Sequence, residues 1–259
     1  MSPNYAPNRS VKAKISRRIT QWRTADPLGL KPEKPIISFT FDDFPKSAAN
    51  EGAEILELVG GKGTYYASSA LAGKQTATGE QFGAADIEAL LKGGHEIGAH
   101  THSHMDCSKE KIADIRSDIE LNIRHLEAMG VSDVRQFAYP YGETRTALKQ
   151  ELSNWFETAR GVLPGLNTET SDRLQLRAFE LTPDAKTIRR AAAAIRAAQH
   201  NPTWIVIFTH DVAHSPSPFG TYPQDLKLLT EMAHNIDADI LCVGDAMKKM
   251  QTLRAANDA

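Results

Sequence analysis

The chain contains, at residues 35–43, the stretch PIISFTFDD. Its first seven residues are mostly apolar, with the aromatic and β-branched side chains that are typical of a buried β-strand. Two carboxylates, Asp42 and Asp43, follow directly where this strand ends. The stretch therefore predicts a central strand that carries two acids at its carboxyl end.

Short apolar runs and amphipathic stretches alternate along the rest of the chain. We predict strands at residues 35–41, 63–68, 95–99, 135–139, 158–163, 204–208 and 240–243, an extended segment at 174–181, and helices at 48–59, 84–92, 108–129, 146–156, 183–199 and 222–233. Such an alternation predicts a parallel sheet with crossover helices. About seven such units fit a closed or nearly closed α/β barrel, in which the chemistry takes place at the carboxyl ends of the strands.

The composition indicates a globular protein rather than a disordered or fibrous one. Of the 259 residues, 41% are hydrophobic, and 30 basic residues nearly balance 32 acidic ones, giving a net charge of −2. This balance argues against nucleic acid as the main partner, since a phosphate-binding surface needs a basic excess. Two cysteines, Cys107 and Cys242, are too few for a disulfide-built scaffold.

The first 33 residues differ from the rest of the chain, because they are basic, contain several prolines and lack an apolar segment. A secretory signal needs such a segment, so we predict that residues 1–33 form an N-terminal extension and residues 34–259 one folded domain. No apolar run reaches the roughly 18 residues of a transmembrane span. These features predict a cytoplasmic protein without a membrane span.

Three polar clusters follow predicted strands: Asp42-Asp43, the segment AHTHSH at residues 99–104, and Thr209-His210-Asp211. Because the carboxyl ends of barrel strands share one rim, we expect the three clusters to meet there. Two histidines and one aspartate suit a catalytic divalent metal with an open position for water. Taken singly, each cluster also has a structural explanation, such as a helix cap or a solvent-facing histidine pair, but their common placement favours a functional site.

The histidine spacing leaves the choice of ligands open. His100 and His104 are four residues apart and share one face of a helical turn. In an extended segment, however, side chains alternate, and His102 lies on the same face as the other two. Either pairing is compatible with a metal site.

From about Pro35 to Val243, the sequence resembles polysaccharide deacetylases of carbohydrate esterase family 4. The resemblance is carried by four segments: TFDD at residues 40–43, GHEIG at 94–98 leading into HTHSH at 100–104, YPYG at 139–142, and IFTH at 207–210. It implies a distorted (β/α) barrel with fewer than eight complete units. It also implies that residues 34–259 form a polysaccharide deacetylase-like catalytic domain, which removes acetyl groups, N-acetyl above all, from an acetylated oligo- or polysaccharide.

The same resemblance implies a metal site made of Asp43, His100 and His104, which leaves His102 as a neighbour. The implied cofactor is a divalent cation, Zn²⁺ first, with Co²⁺ or Ni²⁺ as alternatives that such ligands also accept. The resemblance further implies that a water activated at this metal would attack the acetyl carbonyl.

Three further residues match the catalytic positions of the family. Asp42 matches the general base that deprotonates the attacking water, and His210 matches the general acid that protonates the leaving amine or alkoxide. Tyr141 matches the residue whose backbone N–H stabilises the developing oxyanion.

The chain departs from the family in the third segment, where many members have Arg-Pro-Pro-Tyr-Gly. Here residues 138–142 are AYPYG, so Ala138 replaces the arginine that holds the base carboxylate ionised. Arg160 and Arg177, on the next two predicted extended segments, are candidates to substitute for it, with surface ion pairing as the alternative. The family's Asp-Trp motif that supports the acid has no clean match, since Asp172 lacks the following tryptophan.

A set of residues near the predicted rim is expected to contact substrate: Tyr139, Arg160, Arg177 and His214. Aromatic rings near the rim, including Phe219, suit stacking on sugar faces, although packing explains such rings as well. His214 lies in a loop rich in proline and glycine after His210, and such loops shape substrate access.

Two alternatives to carbohydrate deacetylation stay open. The same metal centre suits hydrolysis of a different small amide, and loss of the arginine suits a catalytically silent sugar-binding homologue. The presence of both Asp42 and His210 argues against silence, because binding alone needs neither a base nor an acid. The sequence makes no prediction of the oligomeric state.

Overall fold

The computed structural model describes residues 20, 23, 26–29 and 31–257, with side chains up to residue 252. Its strands are β1 (Ile36–Asp42), β2 (Thr64–Ala67), β3 (Gln75–Thr76), β4 (Gly79–Glu80), β5 (Glu96–Ala99), β6 (Gln136–Ala138), β7 (Thr158–Arg160), β8 (Phe179–Glu180), β9 (Trp204–Thr209) and β10 (Asp239–Ile240). Most of them are short and lie at the predicted positions.

The helices alternate with the strands. They are α1 (Ala53–Glu57), which continues a π-helical segment Ala48–Gly52, then α2 (Ala84–Lys92), α3 (Ile112–Ala128), α4 (Thr146–Leu152), α5 (Ala185–Ala198), α6 (Pro223–Asn235) and α7 (Val243–Asn257). Single 3₁₀ turns lie at Ser69–Leu71, Pro140–Gly142 and Arg173–Gln175.

Seven strands form one parallel sheet in the order β7-β6-β5-β2-β1-β9-β8, and β10 pairs with the beginning of β1. The edges β7 and β8 approach each other through Leu176, whose N–H donates to Ala159 and whose carbonyl accepts from Gly161. The sheet therefore curls into a distorted (β/α) barrel of about seven units with parallel strands, which confirms the predicted fold class.

The alternation of side chains along β1 determines which groups face the inside of the barrel. Ile37, Phe39 and Phe41 belong to the large cluster beneath the helices. Ser38 lies on the other face, where its hydroxyl accepts from the indole N–H of Trp204 at 3.0 Å. Since neighbours alternate, Asp42 continues this inner face and enters the barrel at the carboxyl end of the strand.

The C-terminal part of the chain differs from the prediction of a final strand at 240–243. Only Asp239–Ile240 is a strand, and the chain turns at Val243 into α7. The first helical N–H groups of α7 find tertiary partners, because Val243 donates to Thr64 Oγ1 at 2.8 Å and Gly244 donates to Glu96 Oε2 at 3.1 Å. Local sequence carries no signal for such capping across the barrel.

Two further boundaries differ because short polar side chains bind the local backbone. Asp106 accepts from the N–H and the hydroxyl of Ser108, so α3 begins at Ile112 rather than at Ser108. Asp172 accepts from the N–H of Leu174 and starts a 3₁₀ turn, so the segment predicted as extended becomes strand only at Phe179–Glu180.

Most of the predicted N-terminal extension lies outside the described residues, and its boundary at residue 33 stays a prediction. The described part packs on the loop before β8, since the N–H of Leu28 donates to the carbonyl of Ser171. The ammonium of Lys149, fully buried in α4, donates to Asp172 at 2.6 Å and also to the carbonyls of Thr20 and Arg23. These bonds join Thr20, Arg23 and Leu28 to the barrel.

Glu96 lies at the amino end of β5, far from the strand ends that carry the acids. Burial raises the pKa of its carboxyl to about 7. The folded protein therefore holds a proton that the unfolded chain releases near pH 4.5. The resulting contribution to stability is complete below that pH and is lost as the pH rises through about 7.

We expect Glu96→Gln to stabilise the protein at pH 8 more than at pH 5, because glutamine keeps the neutral state. One pKa unit corresponds to about 1.4 kcal/mol, so the difference between the two pH values is about 2 kcal/mol in the free energy of unfolding. Urea titrations at both pH values measure it, with Glu88→Gln on exposed α2 as the control. An equal effect of Glu96→Gln at both pH values would show that the carboxyl titrates normally.

Candidate metal centre

The side chains predicted to carry the chemistry lie at the carboxyl ends of neighbouring strands. Asp42 ends β1, His100 follows β5 and His210 follows β9. Tyr141 follows β6, and Arg160 ends β7. Because β2, β5, β6 and β7 succeed one another on one side of β1 and β9 lies on the other, these ends surround a single mouth of the barrel.

A compact cluster of three potential ligands lies in this mouth. One ligand atom from each of Asp43, His100 and His104 falls within 4.8 Å of the others. His100 and His104 are buried, and Asp43 is 9% exposed. A carboxylate and two imidazoles so close together match the donor set of a Zn²⁺-type site that keeps room for water.

The ring of His100 is oriented for metal binding. Its Nδ1 donates to the carbonyl of Ala138 at 2.7 Å, since a carbonyl oxygen only accepts. Burial lowers the pKa of His100 to about 4, which keeps the ring neutral. The lone pair on Nε2 is then available as a ligand, in the arrangement typical of metal-binding histidines.

Asp43 and His104 form the other part of the cluster. Asp43 Oδ2 lies 2.9 Å from His104 Nε2. Burial opposes charge on both groups, but their mutual attraction outweighs it, so the pKa of Asp43 is lowered and that of His104 is raised. Asp43 Oδ1 and His104 Nδ1 are buried without a hydrogen-bond partner. Buried polar atoms without partners are costly, and a cation bound among these residues fits them well.

The structure brings His100 and His104 together and separates His102 from them. His102 points away from the cluster, with its Nδ1 2.8 Å from the hydroxyl of Ser69 and its ring against His125. His100 and His104 converge, with ring centroids 4.9 Å apart. The chain turns between them, because Thr101 and His104 adopt positive φ values of 57° and 55°.

Backbone strain is concentrated at this mouth. The described residues outside glycine with positive φ are Asp43, Thr101, His104, Tyr141 and Asp237. All except Asp237 belong to the candidate site or adjoin it. Such conformations cost of order 1 kcal/mol or more and persist where the surrounding structure enforces them, which is common at functional sites.

Asp42 is held by Arg160. The Nη2 group of Arg160 donates to both carboxylate oxygens, and the guanidinium is fully buried between the rings of Tyr66 and Phe208. Burial alone raises the pKa of Asp42, but Arg160 and the nearby His100 and His210 outweigh it, so the pKa lies below its ordinary value. The carboxyl is therefore ionised.

The position of Arg160 accounts for the arginine missing at residue 138. Ala138 on β6 and Arg160 on β7 are register partners in the parallel sheet. Their side chains therefore point to the same face of adjacent strands. The cation enters the barrel from the neighbouring strand, and the small side chain of Ala138 leaves room for it. Surface ion pairing, the alternative explanation for Arg160, is wrong because this side chain is 0% exposed.

Tyr141 lies beside the cluster in a tight turn. Its φ of 59° is left-handed, and its ring packs against that of His104 with centroids 4.4 Å apart. The next residue, Gly142, has a φ of 66°, and a Cβ there would lie 2.2 Å from Val162. Only glycine fits this position, which maintains the turn that presents Tyr141.

His210 lies on the opposite side of β1 from His100. Its Nδ1 is 3.3 Å from the carbonyl oxygen of Phe219, and the two rings are tilted with centroids 5.6 Å apart. The ring of Phe219 is 46% exposed beside it. An exposed aromatic ring next to a histidine suits a sugar face.

The other residues predicted to contact substrate are Tyr139, Arg177 and His214, and the structure places them in different surroundings. The prediction that Tyr139 contacts substrate is wrong, because this residue is 1% exposed and its hydroxyl donates to the carbonyl of Leu174 at 2.8 Å. Arg177 bonds the carbonyl of Pro164 rather than Asp42. His214 is exposed in its loop, and its contact with substrate stays a prediction.

Cys107 is buried with its thiol directed at the carbonyl of Met105, apart from the metal cluster.

A cavity of about 420 Å³ lies next to the mouth. It is bounded by the segment after β1 with Lys46, by the hairpin of β3 and β4 with Thr76 and Thr78, and by the loop after β9 with Asp211 and Ser217. Its walls are rich in hydroxyl groups. Hydroxyls of this kind hydrogen-bond readily to a polyhydroxylated ligand.

Comparisons with known proteins agree with this geometry. A family model described as polysaccharide deacetylase matches residues 29–155. A bifunctional xylanase/deacetylase from Pseudobutyrivibrio xylanivorans is 25% identical over 117 residues, which are 45% of this chain and 18% of that protein. The chain thus spans less than a fifth of this curated relative.

Solved structures share the fold at low sequence identity. An acetyl xylan esterase of family 4 from Clostridium thermocellum, in complex with a cobalt ion, has a TM-score of 0.59 and 21% identity, covering 85% of this chain and 92% of its own. The peptidoglycan deacetylase PdaC from Bacillus subtilis has a TM-score of 0.57 and 14% identity, covering 88% and 97%. BA3943 from Bacillus anthracis, a family 4 pseudoenzyme, has a TM-score of 0.54 and 14% identity, covering 83% and 66%.

The structural likeness extends over most of the barrel, whereas the family model covers its first half. The family model spans the segments around Asp43, His100 and His104 that carry the resemblance in the sequence. Over residues 29–155, just under half of the chain, the sequence matches the polysaccharide deacetylase family model.

Proposed function

We propose that the protein is a metal-dependent hydrolase that removes acetyl groups, N-acetyl above all, from an oligo- or polysaccharide. The observation that carries this proposal is the ionised Asp42, held by Arg160 beside the three-ligand cluster. An enzyme of this class needs a base, a cation and an acid around one carbonyl, and the mouth of the barrel contains residues suited to each role.

Asp43, His100 and His104 are the residues that would hold the cation, and we propose Zn²⁺ on the basis of their donor atoms. A cation there supplies Lewis acidity, which polarises a carbonyl and lowers the pKa of water. The neutral state of His100 and the ionised state of Asp43 support this assignment, because metal ligands must be deprotonated. The pKa of His104 is raised by Asp43, and a bound cation would displace the proton from this ring.

Asp42 is proposed as the general base. It is ionised and faces the inside of the barrel, where its carboxylate can take a proton from the attacking water. Arg160 keeps the carboxylate oriented through its two hydrogen bonds. This arrangement avoids a buried, uncompensated charge, which is costly in the absence of a partner.

Tyr141 and His210 are proposed to act on the two other atoms of the scissile group. The backbone N–H of Tyr141 is assigned to the developing oxyanion, and its enforced left-handed turn supports a preorganised donor. His210 is assigned to protonate the leaving nitrogen or oxygen as its bond to the acetyl carbon breaks. Both lie at the mouth that contains Asp43.

Substrate specificity for carbohydrate is supported by the hydroxyl groups that line the cavity and by the exposed ring of Phe219. A cytoplasmic location stays a prediction. None of the helices between residues 31 and 257 combines the length and hydrophobicity that a bilayer-spanning segment needs.

A silent sugar-binding homologue is the second candidate, and the observation in its favour is Ala138 in place of the family arginine. BA3943 is a family 4 pseudoenzyme with a related fold. The contact between Arg160 and Asp42 favours activity in this chain, since the base is supplied with a cation from another strand.

Acetate release tests the proposal. With added Zn²⁺, the wild-type protein is expected to release acetate from N-acetylated oligosaccharides, and Asp42→Asn is expected to lose at least about 100-fold in kcat because the base is absent. Oligosaccharide binding by both proteins is measured in parallel by calorimetry. Binding without acetate release from either would support the silent homologue.

A further inference from the structure

The loop that follows β9 holds the ring of His210. The Nδ1 atom of His210 faces the carbonyl oxygen of Phe219, which accepts from the hydroxyl of Thr209 as well, at 3.3 Å in both cases. A carbonyl oxygen can only accept a hydrogen bond, so the proton of this contact is on Nδ1. Nε2 is then the nitrogen that is available to carry or give a proton at the site.

The loop is held by one buried carboxylate. Asp211 is 4% exposed, and its two oxygens accept from the N–H of Ser217 at 2.8 Å and from the hydroxyl of Ser217 at 2.5 Å. The Ser217 hydroxyl in turn accepts from the N–H of Phe219 at 3.2 Å. A chain of hydrogen bonds thus connects Asp211 with the residue whose carbonyl faces His210.

The other side of Phe219 is fixed by close packing. A Cβ at Gly220 would lie 2.3 Å from the Asp211 carboxylate, so the backbone at residue 220 rests directly on that group. The N–H of Thr221 donates to the carbonyl of Asp211 at 2.8 Å and closes the loop. The peptide that joins Phe219 and Gly220 is therefore confined between His210 and Asp211.

We propose that Asp211 is a positioning residue for His210. Its carboxylate fixes the carbonyl of Phe219, which holds the imidazole with a proton on Nδ1 and leaves Nε2 to deliver the catalytic proton. The inference rests on the proposed function, in which His210 is the acid. It also explains how this chain manages without the Asp-Trp motif, since the support comes from the loop directly after His210.

The proton balance of the acid step is simple. The Nε2–H bond of the imidazolium breaks, and the proton passes to the leaving nitrogen as the bond between this nitrogen and the acetyl carbon breaks. His210 ends neutral, with its Nδ1 proton still donated to Phe219. If the ring flips, or if the proton of the neutral ring moves from Nδ1 to Nε2, Nε2 is no longer placed to deliver the proton to the leaving nitrogen.

The first test compares two leaving groups in the Zn²⁺-loaded enzyme. Asp211→Asn places an amide N–H₂ against the donors of Ser217 and is expected to lower kcat on an N-acetylated oligosaccharide at least about 10-fold, as part of the 10²–10⁴-fold that general acid catalysis supplies. Hydrolysis of 4-nitrophenyl acetate is expected to stay within about threefold, because nitrophenolate leaves without a proton. Equal losses on both substrates, or no loss on either, would overturn the inference.

Two further variants calibrate the comparison. Ser217→Ala removes the hydroxyl between Asp211 and Phe219 and is expected to cause a smaller selective loss in kcat on the oligosaccharide, whereas a loss confined to KM would indicate a contact with substrate in the cavity. Thr221→Val is the matched control, because its buried hydroxyl lies in the same loop without a hydrogen-bond partner. It is expected to leave both activities unchanged, and a selective loss in this control would count against the role of Asp211.

The second test does not depend on activity. In ¹⁵N-histidine NMR spectra recorded at a pH high enough to deprotonate the imidazolium, His210, assigned with His210→Gln, is expected to show the Nδ1-protonated neutral tautomer in the wild type and in Thr221→Val, and a mixture in Asp211→Asn. This signature without acetate release from the wild type would refute the proposed function and leave the positioning role supported. An Nε2-protonated neutral ring in the wild type would overturn the inference.

Discussion

Arg160→Met is expected to lower kcat for acetate release at least about 100-fold while metal binding persists. The substitution removes the only cation that the described structure shows in contact with the Asp42 carboxylate. Burial then dominates and raises the pKa of Asp42, so the base becomes protonated and a general-base contribution of about 10²–10⁴-fold is lost. Steady-state kinetics on an N-acetylated oligosaccharide, with Zn²⁺ content measured in the same samples, provides the test.

Arg177→Met is the matched control for this prediction, because Arg177 was the other candidate and bonds the carbonyl of Pro164 instead. Its kcat is expected to stay within about twofold, as for an ordinary surface substitution. The double variant Arg160→Met/Ala138→Arg is expected to recover activity, since residue 138 is the register partner of residue 160. Full activity of Arg160→Met alone would contradict the assignment.

His104→Ala is expected to weaken Zn²⁺ binding more than about 100-fold. Loss of a direct ligand should exceed the 10–100-fold that groups supporting the ligands supply. His102→Ala is the matched control two residues away, and its affinity is expected to change less than about threefold, because its ring faces Ser69 and His125. Isothermal titration with Zn²⁺ measures both.

The same titrations also test the ligand set. Far-UV circular dichroism of His104→Ala establishes that the barrel is folded, and Asp43→Asn is expected to weaken binding in the same direction. Equal losses in His102→Ala and His104→Ala would show that the ligands have been assigned incorrectly. Stoichiometric Zn²⁺ binding by His104→Ala would remove His104 from the site.

The alternating pattern of the chain was enough to predict the barrel and the edge on which the polar groups lie. Parallel strands bring their carboxyl ends to one rim, and the aspartates and histidines follow their strands directly in sequence. These side chains therefore meet because each of them follows a strand closely in the sequence. The helix α7 was missed because its start depends on Thr64 and Glu96, which are far away in the chain.

The importance of Arg160 and of the loop after β9 could be judged only from the structure. In sequence, Arg160 is 118 residues from Asp42, and an arginine at the end of a strand is compatible with a surface ion pair. Asp211 likewise resembles a solvent-facing acid until Ser217 and Gly220 are seen packed around it. Burial of Arg160 and Asp211 determines whether they have these roles, because only a desolvated cation or carboxylate interacts strongly with a neighbouring charge or dipole.

The sequence by itself determined the fold class and the rim at which Asp43 and the histidines of residues 100–104 lie, because strand periodicity and motif order are local properties. The choice of Asp43, His100 and His104 as ligands came from the family resemblance and not from the spacing. Only the tertiary structure separated His102 from the cluster of ligands. It also showed that Tyr139 is buried away from the mouth and that Asp42 is paired with Arg160 from β7. Whether a side chain enters the barrel or faces solvent depends on the register of neighbouring strands and on backbone turns with positive φ. Such features arise from packing between segments that are distant in the chain, and so they become visible only when the chain is folded.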